Sequence, residues 1–210
     1  MSISGLLIAS GLSSRLDGFK PLLKYKGQTF LITIVEKILS TISNVVIVVG
    51  YNHTLILEEL ADYFNSVPKN KDSHTWIIDS RITILHNENY KSGMFSSLQL
   101  GVNQLSYSDW ILYHFVDQPN IPIKFYSDIL KQHNSSANWV QPIFEGRKGH
   151  PILFDKLVAT KIIEAENSSN LLELLRDETI EKYFWNCNCP QVLEDIDTNE
   201  DYEKVCKNMQ

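Results

Sequence analysis

Short, continuously hydrophobic runs alternate with amphipathic segments along most of this chain. The hydrophobic runs are typical of strands buried on both faces, and we place them at residues 3–9, 45–49, 82–85, 110–116 and 139–143. Apolar residues at helical spacing predict helices at about 30–42, 55–64, 95–105, 123–132 and 154–164, the first capped by Thr29. This order of elements predicts a three-layer α/β fold with a mostly parallel central sheet.

Two parts of the chain lack a clear period. Residues 66–80 are polar and contain proline and lysine, so we expect a surface excursion there. The last quarter is less regular, with a short segment at 171–176, a short hydrophobic run near Phe184 and a final helix from about Asn199. Neither a repeat nor a linker-like stretch interrupts the pattern, so we expect one domain spanning residues 1–210.

Composition narrows the classes of function. Hydrophobic residues make up 43% of the 210, enough for a sizeable core, which argues against a disordered chain. The net charge of -6 argues against a nucleic-acid-binding protein, because such proteins usually contact the phosphates through a basic face. No apolar run approaches the length of a membrane helix or a secretory signal, so we expect a cytoplasmic protein that binds no membrane. Its three cysteines, at 187, 189 and 206, match neither a disulfide framework nor a zinc site.

The loop after the first strand has the composition of a phosphate-binding loop. In such folds ligands bind beyond the carboxyl ends of the strands, where this loop lies. Its small residues let backbone N–H groups approach phosphates, and its two cations supply charge. The alternative is a surface loop with solvated cations. The candidate nucleotide-binding residues here are Ala9, Ser10, Gly11, Ser13, Ser14, Arg15 and Lys20.

A second polar loop, residues 87–94, precedes the helix predicted from about residue 95. Gly93 suits a backbone with positive φ. Ser96 or Ser97 either caps that helix or contacts the base or ribose of a nucleotide. We therefore add these three residues to the candidate nucleotide site.

Carboxylates stand at two further positions. Asp117 directly follows a hydrophobic strand and is followed by Gln118 and Pro119, so it is either a Mg²⁺ ligand or part of an Asx-turn. Asp195 and Asp197 alternate in an extended segment and can face one site, unless Asp197 or Thr198 caps the last helix.

Taken in order, these segments resemble the molybdopterin nucleotidyltransferase family, nearest its molybdenum cofactor cytidylyltransferase branch. The resemblance covers nearly the whole chain, and five motifs in the correct order make it specific. The motifs lie at residues 8–15 with 19–23, at 89–98, at 117–119, at Gly149-His150-Pro151 and at 195–198.

The resemblance implies a Rossmann-like nucleotidyltransferase fold and transfer of CMP from CTP to the phosphate of molybdopterin, with release of pyrophosphate. Arg15 and Lys20 would neutralise the triphosphate. Asp117 would bind the Mg²⁺ cofactor, joined by one or both of Asp195 and Asp197, with Asp195 favoured. His150 would lie on the acceptor side, where a packed histidine is the alternative, and a molybdoenzyme or its chaperone would be a partner.

Two departures leave other functions open. The family's Gly-Asp-x-Gly-x-Arg stretch is replaced at residues 166–172, which leaves open another small phosphate acceptor, such as a sugar or polyol phosphate. The Ala9-Ser10-Gly11 opening lacks the Gly-Gly of the guanylyl branch, which favours CTP over GTP. A glycosyltransferase acting on nucleotide sugars and a non-enzymatic nucleotide-binding or chaperone protein are further alternatives.

Overall fold

The computed structural model describes residues 1–134, 136–166 and 168–207 of the chain. The strands are β1 (Ile3–Ala9), β2 (Lys24–Tyr25), β3 (Gln28–Thr29), β4 (Val45–Val49), β5 (Lys69–Asp72), β6 (Thr75–Ile78), β7 (Ile82–His86), β8 (Trp110–Phe115), β9 (Trp139–Phe144), β10 (Arg147–Lys148), β11 (Ile152–Asp155) and β12 (Lys182–Asn186). The α-helices are α1 (Phe30–Leu39), α2 (His53–Tyr63), α3 (Met94–Gln104), α4 (Ile123–Leu130), α5 (Lys156–Glu164), α6 (Leu171–Leu174) and α7 (Asn199–Lys207).

Most strands belong to one mixed sheet. Its order is β10-β9-β11-β8-β1-β4-β7-β6-β5, with β12 pairing beside β9. The central strands β8, β1, β4 and β7 are mutually parallel, and the antiparallel pairings lie towards the two edges. The predicted α/β fold with a mostly parallel central sheet is confirmed. The small β2–β3 hairpin stands apart from this sheet, in the long connection after β1.

Both faces of the sheet are covered by helices, which makes three layers. Along β1, Leu7 packs with the helices on one face, and Leu6 packs with the helices on the other. On the second face, α3 lies very close to β1: a Cβ added at Gly101 would stand 2.3 Å from Leu6 Cδ1. This two-sided burial explains why the central strands are hydrophobic at every position.

Residues 66–80, predicted as a surface excursion, contain a hairpin instead. β6 pairs antiparallel with β7 and β5 pairs antiparallel with β6, so the sheet is extended at this edge. All four residues of β5 are exposed, which explains their polar composition. Charged side chains on an edge strand also oppose pairing with other chains.

The helix predicted at 154–164 begins later, at Lys156, because the preceding residues form β11. This strand inserts antiparallel between β8 and β9. The Asp155 carboxylate caps α5 by accepting bonds from the amides of Leu157 and Val158. The apolar residues of β11 and α5 follow each other closely, which is why the sequence pattern merged them.

Other predicted elements are confirmed within a few residues. The Thr29 side chain caps α1 by accepting a bond from the Ile32 amide at 3.2 Å. β12 surrounds Phe184, and α7 begins at Asn199. In the described ranges, no helix is both long and apolar enough to cross a membrane. Of the predicted single domain, residues 135, 167 and 208–210 lie outside the described residues.

Candidate functional site

Polar loops meet at the carboxyl ends of the central parallel strands. They enclose a cavity of about 190 Å³ between the segments that follow β1, β7 and β8. Two of the three loops singled out in the sequence supply most of its wall, together with Tyr90 and Met94 from the third. The cavity is lined by Ile8, Ala9, Ser10, Gly11, Ser13, Lys20, Pro21, Tyr90, Met94, Phe115, Val116 and Asp117.

The loop after β1 is held in a fixed shape around this cavity. Ser13 has a φ of 55°, and its Oγ accepts a hydrogen bond from the Lys20 amide at 3.0 Å. A Cβ added at Gly11 would find no heavy atom within 4 Å, so the backbone is open to a ligand at this point. Ser14 is exposed and does not line the cavity in the described structure.

The two predicted phosphate-binding cations converge on one carboxylate. Asp197 Oδ1 accepts a bond from Lys20 Nζ at 2.6 Å, and its Oδ2 accepts one from Arg15 Nη2 at 2.8 Å. Lys20 Nζ also lies 3.6 Å from Asp117 Oδ2. Partial burial raises the pKa of Asp197, but Lys20 and Arg15 outweigh it and hold that pKa below its usual value. Residues far apart in the chain therefore form a single charge cluster.

Asp117 follows β8 directly and carries a buried, unsatisfied oxygen. Its Oδ1 has no hydrogen-bond partner among the described residues. Burial raises the pKa of Asp117 to about 6; Lys20 opposes the rise, and Asp195 and Asp197 add to it. A carboxylate oxygen in this state has the chemistry of a cation ligand, so the residues present fit a divalent metal.

A metal at this position needs ligands from outside the protein. Within the described residues, no group of three or more His, Cys, Asp or Glu side chains is arranged to hold an ion. Mg²⁺ commonly takes one or two carboxylates and completes its shell with phosphate oxygens and water. The geometry therefore fits a cation that arrives with a phosphate-bearing ligand.

Asp195 is engaged differently from Asp197. Its Oδ1 accepts a hydrogen bond at 2.8 Å from Nε2 of Gln118, a buried side chain that also donates to the Val192 carbonyl. Burial and the neighbouring Asp197 raise the pKa of Asp195. The sequence did not single out Gln118 for a role, although it lies inside the 117–119 motif.

The last helix is capped by Thr198, one of the two alternatives that the sequence left open. Thr198 Oγ1 accepts a bond from the Asp201 amide at 3.2 Å, and the Asp201 carboxylate accepts from the Thr198 amide at 3.0 Å. This reciprocal capping box leaves Asp197 available to Lys20 and Arg15.

The loop after β7 behaves in part as predicted. Gly93 has the expected positive φ, at 114°. Neither serine caps α3, however, because that helix begins at Met94 and both serines lie inside it. Ser97 Oγ lies 2.9 Å from Ser10 Oγ and accepts from Asn87 Nδ2 at 2.9 Å. The serines tie the loop after β7 to the loop after β1, and Gly93 and Ser96 line neighbouring cavities.

Tyr90 also lines the cavity, although the sequence did not predict it as a site residue. Its position depends on Gly50, at the end of β4. A Cβ at Gly50 would stand 2.6 Å from Tyr90 Cβ and 2.8 Å from the Ser10 carbonyl oxygen. The only sequence signal was the glycine itself, which ends a strand where another segment approaches closely.

A second cavity of about 460 Å³ adjoins the first. Met94 and Phe115 line both cavities, and His150 lies in the wall of the second with Asn170, Leu171 and Leu172. His150 Nδ1 finds no hydrogen-bond partner in the parts of the chain that the structure describes. Burial lowers the pKa of His150 to about 4, so the ring is neutral at pH 7.

The sequence also matches an established family model. Residues 5–182 match the MobA-like NTP transferase domain. The chain belongs to the MobA-like NTP transferase family. It is therefore a nucleotidyltransferase, and the resemblance noted from the motifs is confirmed.

The curated relatives of this MobA-like protein span two activities. It is 27% identical over 201 residues to the molybdenum cofactor cytidylyltransferase of Escherichia coli (strain K12). The matched region covers 96% of this chain and 94% of the relative. It is also 27% identical over 215 residues to a probable molybdenum cofactor guanylyltransferase of Bacillus cytotoxicus, with 98% of each chain covered. The relatives thus divide between cytidylyl and guanylyl transfer.

Solved structures share the fold. A nucleotidyl transferase from Methanothermobacter superposes with a TM-score of 0.77 at 18% identity, covering 99% of this chain and 97% of that one. A Mycobacterium tuberculosis protein solved as a manganese complex gives a TM-score of 0.70 at 15% identity, with 99% of each chain covered. At such low identity these structures show the common fold of the MobA-like protein.

Proposed function

We propose that this MobA-like protein transfers a nucleoside monophosphate, CMP from CTP, to the phosphate of molybdopterin and releases pyrophosphate. The observation that carries the proposal is the charge cluster beside the cavity. There Lys20 and Arg15 share Asp197, and Asp117 presents an unpaired oxygen. The family and its curated relatives supply the class of reaction and of acceptor.

Binding of the NTP exchanges partners within this cluster. A triphosphate carries more negative charge than one carboxylate and offers many acceptor oxygens, so it competes with Asp197 for Lys20 and Arg15. Ser10, Gly11 and Ser13 line the cavity on the same side and leave room for the phosphates to approach the backbone. Lys20 and Arg15, which pair with Asp197 in this structure, then neutralise the triphosphate.

Mg²⁺ is the divalent cation that we assign to this site, with Asp117 as its first ligand. The second is Asp197, because one cation, the Lys20 ammonium, already contacts both of these carboxylates. Asp195, favoured by the resemblance, is less suited than Asp197, because its Oδ1 already accepts a hydrogen bond from Gln118 Nε2. When bound, the cation supplies charge neutralisation on the phosphates. The manganese complex of the mycobacterial structure supports a divalent cation on this fold.

The acceptor is assigned to the second cavity. A phosphate oxygen of the acceptor forms a bond to the α-phosphorus, the bond between that phosphorus and the α,β-bridging oxygen breaks, and pyrophosphate leaves. Positioning and charge neutralisation supply most of the acceleration of such a step. The His150 ring is neutral, and its Nδ1 has no hydrogen-bond partner among the described residues. This nitrogen can form one hydrogen bond with a polar group of the acceptor substrate. Such a product would be used in the cytoplasm by a molybdoenzyme or its chaperone.

Two alternatives keep the same chemistry. The curated guanylyltransferase relatives support GTP as donor. The residues at 168–172 beside His150, which depart from the family pattern, support another small phosphate acceptor, such as a sugar phosphate; Asn167 lies outside the described residues.

An acceptor panel tests the proposal. Purified protein with Mg²⁺ and CTP or GTP is offered molybdopterin, a sugar phosphate or a polyol phosphate, and the products are identified by mass spectrometry. The expected product is the cytosine dinucleotide of molybdopterin. Transfer to a sugar or polyol phosphate alone would replace the acceptor, and nucleotide binding without any transfer would favour a non-enzymatic role.

A further inference from the structure

Lys37, in the last turn of α1, reaches across to the segment that carries Asp117. Its Nζ donates hydrogen bonds to the carbonyl oxygens of Pro119 and of Ile121, the latter at 2.8 Å. Both carbonyls belong to the connection from β8 to α4, within four residues of Asp117. Pro119 and Ile121 are buried and Lys37 is half-buried, so this contact is partly shielded from solvent.

The Lys37 ammonium is held without a carboxylate. Among residues 1–134, 136–166 and 168–207, no acidic side chain forms a salt bridge with it, and its Nζ lies 5.7 Å from the centroid of the Tyr25 ring. Burial lowers the pKa of Lys37 to about 8, with Lys26 adding to the effect. Burying an ammonium in this way costs free energy that an apolar side chain would not incur. Stability alone therefore does not explain a lysine here.

The same segment is also held by the C-terminal part of the chain. The Asp117 carbonyl accepts a bond from the Ile196 amide at 3.0 Å, and the Gln118 side chain donates to Asp195. Lys37 holds this segment from α1, through its hydrogen bonds to the Pro119 and Ile121 carbonyls. In the described structure, the other side-chain hydrogen bonds from this connection to distant segments go to residues 192–195.

We propose that Lys37 is a positioning residue: its bonds to the Pro119 and Ile121 carbonyls hold the Asp117 carboxylate in place at the nucleotide cavity. This inference rests on the proposed function only in assigning Asp117 to the divalent cation. Lys37 itself does not line the cavity. Groups that orient a metal ligand without binding the metal themselves typically contribute about 10–100-fold to metal affinity or activity.

The test compares Lys37→Met with Lys26→Met. Lys26 is an exposed lysine over the same Tyr25 ring, 5.4 Å from its centroid, and its side chain makes no hydrogen bond in the described structure. Mn²⁺ affinity in the presence of CTP is measured by electron paramagnetic resonance, and kcat and the KM for CTP are measured separately. We expect Lys37→Met to weaken Mn²⁺ binding and lower kcat by about tenfold or more, with the KM for CTP changed far less. Lys26→Met should match the wild type, and Lys37→Arg should recover part of both losses.

Unchanged Mn²⁺ affinity and kcat in folded Lys37→Met would overturn the proposal, and so would equal losses in Lys26→Met. If Lys37→Met does not fold, Lys37→Gln replaces it, because its side chain is one bond shorter and leaves the two carbonyls unreached. Wild-type Mn²⁺ affinity in Lys37→Gln would then be the contradicting result. A wild-type protein that binds Mn²⁺ and CTP but transfers nothing would instead refute the proposed function, and the Mn²⁺ measurement would still decide the role of Lys37.

Discussion

Lys20 and Asp197, 177 positions apart in the chain, form an ion pair with 2.6 Å between Nζ and Oδ1. The pair joins the loop after β1 to the segment before α7, and Asp117 stands beside it at the end of β8. The Lys20 side chain is only 13% exposed, so this contact is shielded more than an ordinary surface ion pair. The same lysine is the cation that we assign to the triphosphate.

Removal of the Lys20 ammonium should weaken NTP binding. A charge-assisted hydrogen bond contributes about 1.5–3 kcal/mol, which corresponds to a rise in Kd of roughly 10- to 100-fold for Lys20→Ala. Isothermal titration calorimetry with CTP measures this rise. Lys24→Ala is the matched control, since Lys24 lies on the same connection but is exposed. Equal affinity in Lys20→Ala and the wild type would place the triphosphate elsewhere.

Asp117→Asn should abolish metal-dependent turnover without loss of the fold. Because the folded-state pKa of Asp117 is raised to about 6, the ionised carboxylate destabilises the protein above that pH. Asparagine removes this cost, so the variant should be more stable at pH 7 by roughly 3 kcal/mol. The advantage should shrink towards pH 4, where the wild-type carboxyl is protonated.

Urea unfolding at pH 4, 5 and 7 and an assay of pyrophosphate release measure both effects of Asp117→Asn. Activity within a few-fold of the wild type would show that Asp117 is not a metal ligand. A variant that is less stable at pH 7 would show that the carboxylate is satisfied in the folded state.

The buried histidines should make the fold sensitive to acid. Burial lowers the pKa of His114 to about 3 and that of His150 to about 4, so both rings are neutral in the folded protein near pH 5. The unfolded chain takes up these protons below about pH 6.5, and stability falls as the pH drops from there.

His114→Gln removes one of the two imidazoles that take up a proton on unfolding. The slope of unfolding free energy against pH between 4.5 and 5.5 should therefore change by about 1.4 kcal/mol per pH unit. Chemical denaturation across this range provides the slope, with the exposed His74→Gln as control. An unchanged slope in His114→Gln would mean that this ring does not resist protonation.

The preference for CTP over GTP, expected from the Ala9-Ser10-Gly11 opening, can be checked by nucleotide binding alone. CTP, GTP, ATP and UTP are each added with and without Mg²⁺, and thermal unfolding is followed. A ligand at 100 times its Kd adds about 2.7 kcal/mol of stability, which shifts the midpoint measurably. We expect selective stabilisation by CTP with Mg²⁺. Selective stabilisation by GTP would move the chain to the guanylyl branch.

The parts of the fold that could be predicted are those whose pattern reports burial directly. β4 is apolar at all five positions because helices cover both its faces. β5 gives no such signal, since its four residues are exposed at a sheet edge and resemble a loop. β11 was merged with α5 because only the cap at Asp155 separates them. The hydrophobic pattern thus predicts the central buried strands. It does not predict β5 and β11, which are defined by their pairing with neighbouring strands.

The site follows the same division. Asp117 and Lys20 carry charge on loops at strand ends, where an α/β fold binds its ligands, so their types and positions were informative. Lys37 and Gln118 act through bonds to segments more than 70 positions away, and nothing in their local sequence reports those contacts. Tyr90 reaches the cavity only because Gly50 leaves room for it.

The most direct test is a single-turnover reaction of the purified protein with Mg²⁺, CTP and molybdopterin, in which dinucleotide and pyrophosphate are both quantified. We expect one pyrophosphate for each molybdopterin cytosine dinucleotide, and neither product with Asp117→Asn. A well-folded wild-type protein that binds CTP and molybdopterin but forms neither product, with CTP or with GTP in its place, would contradict it.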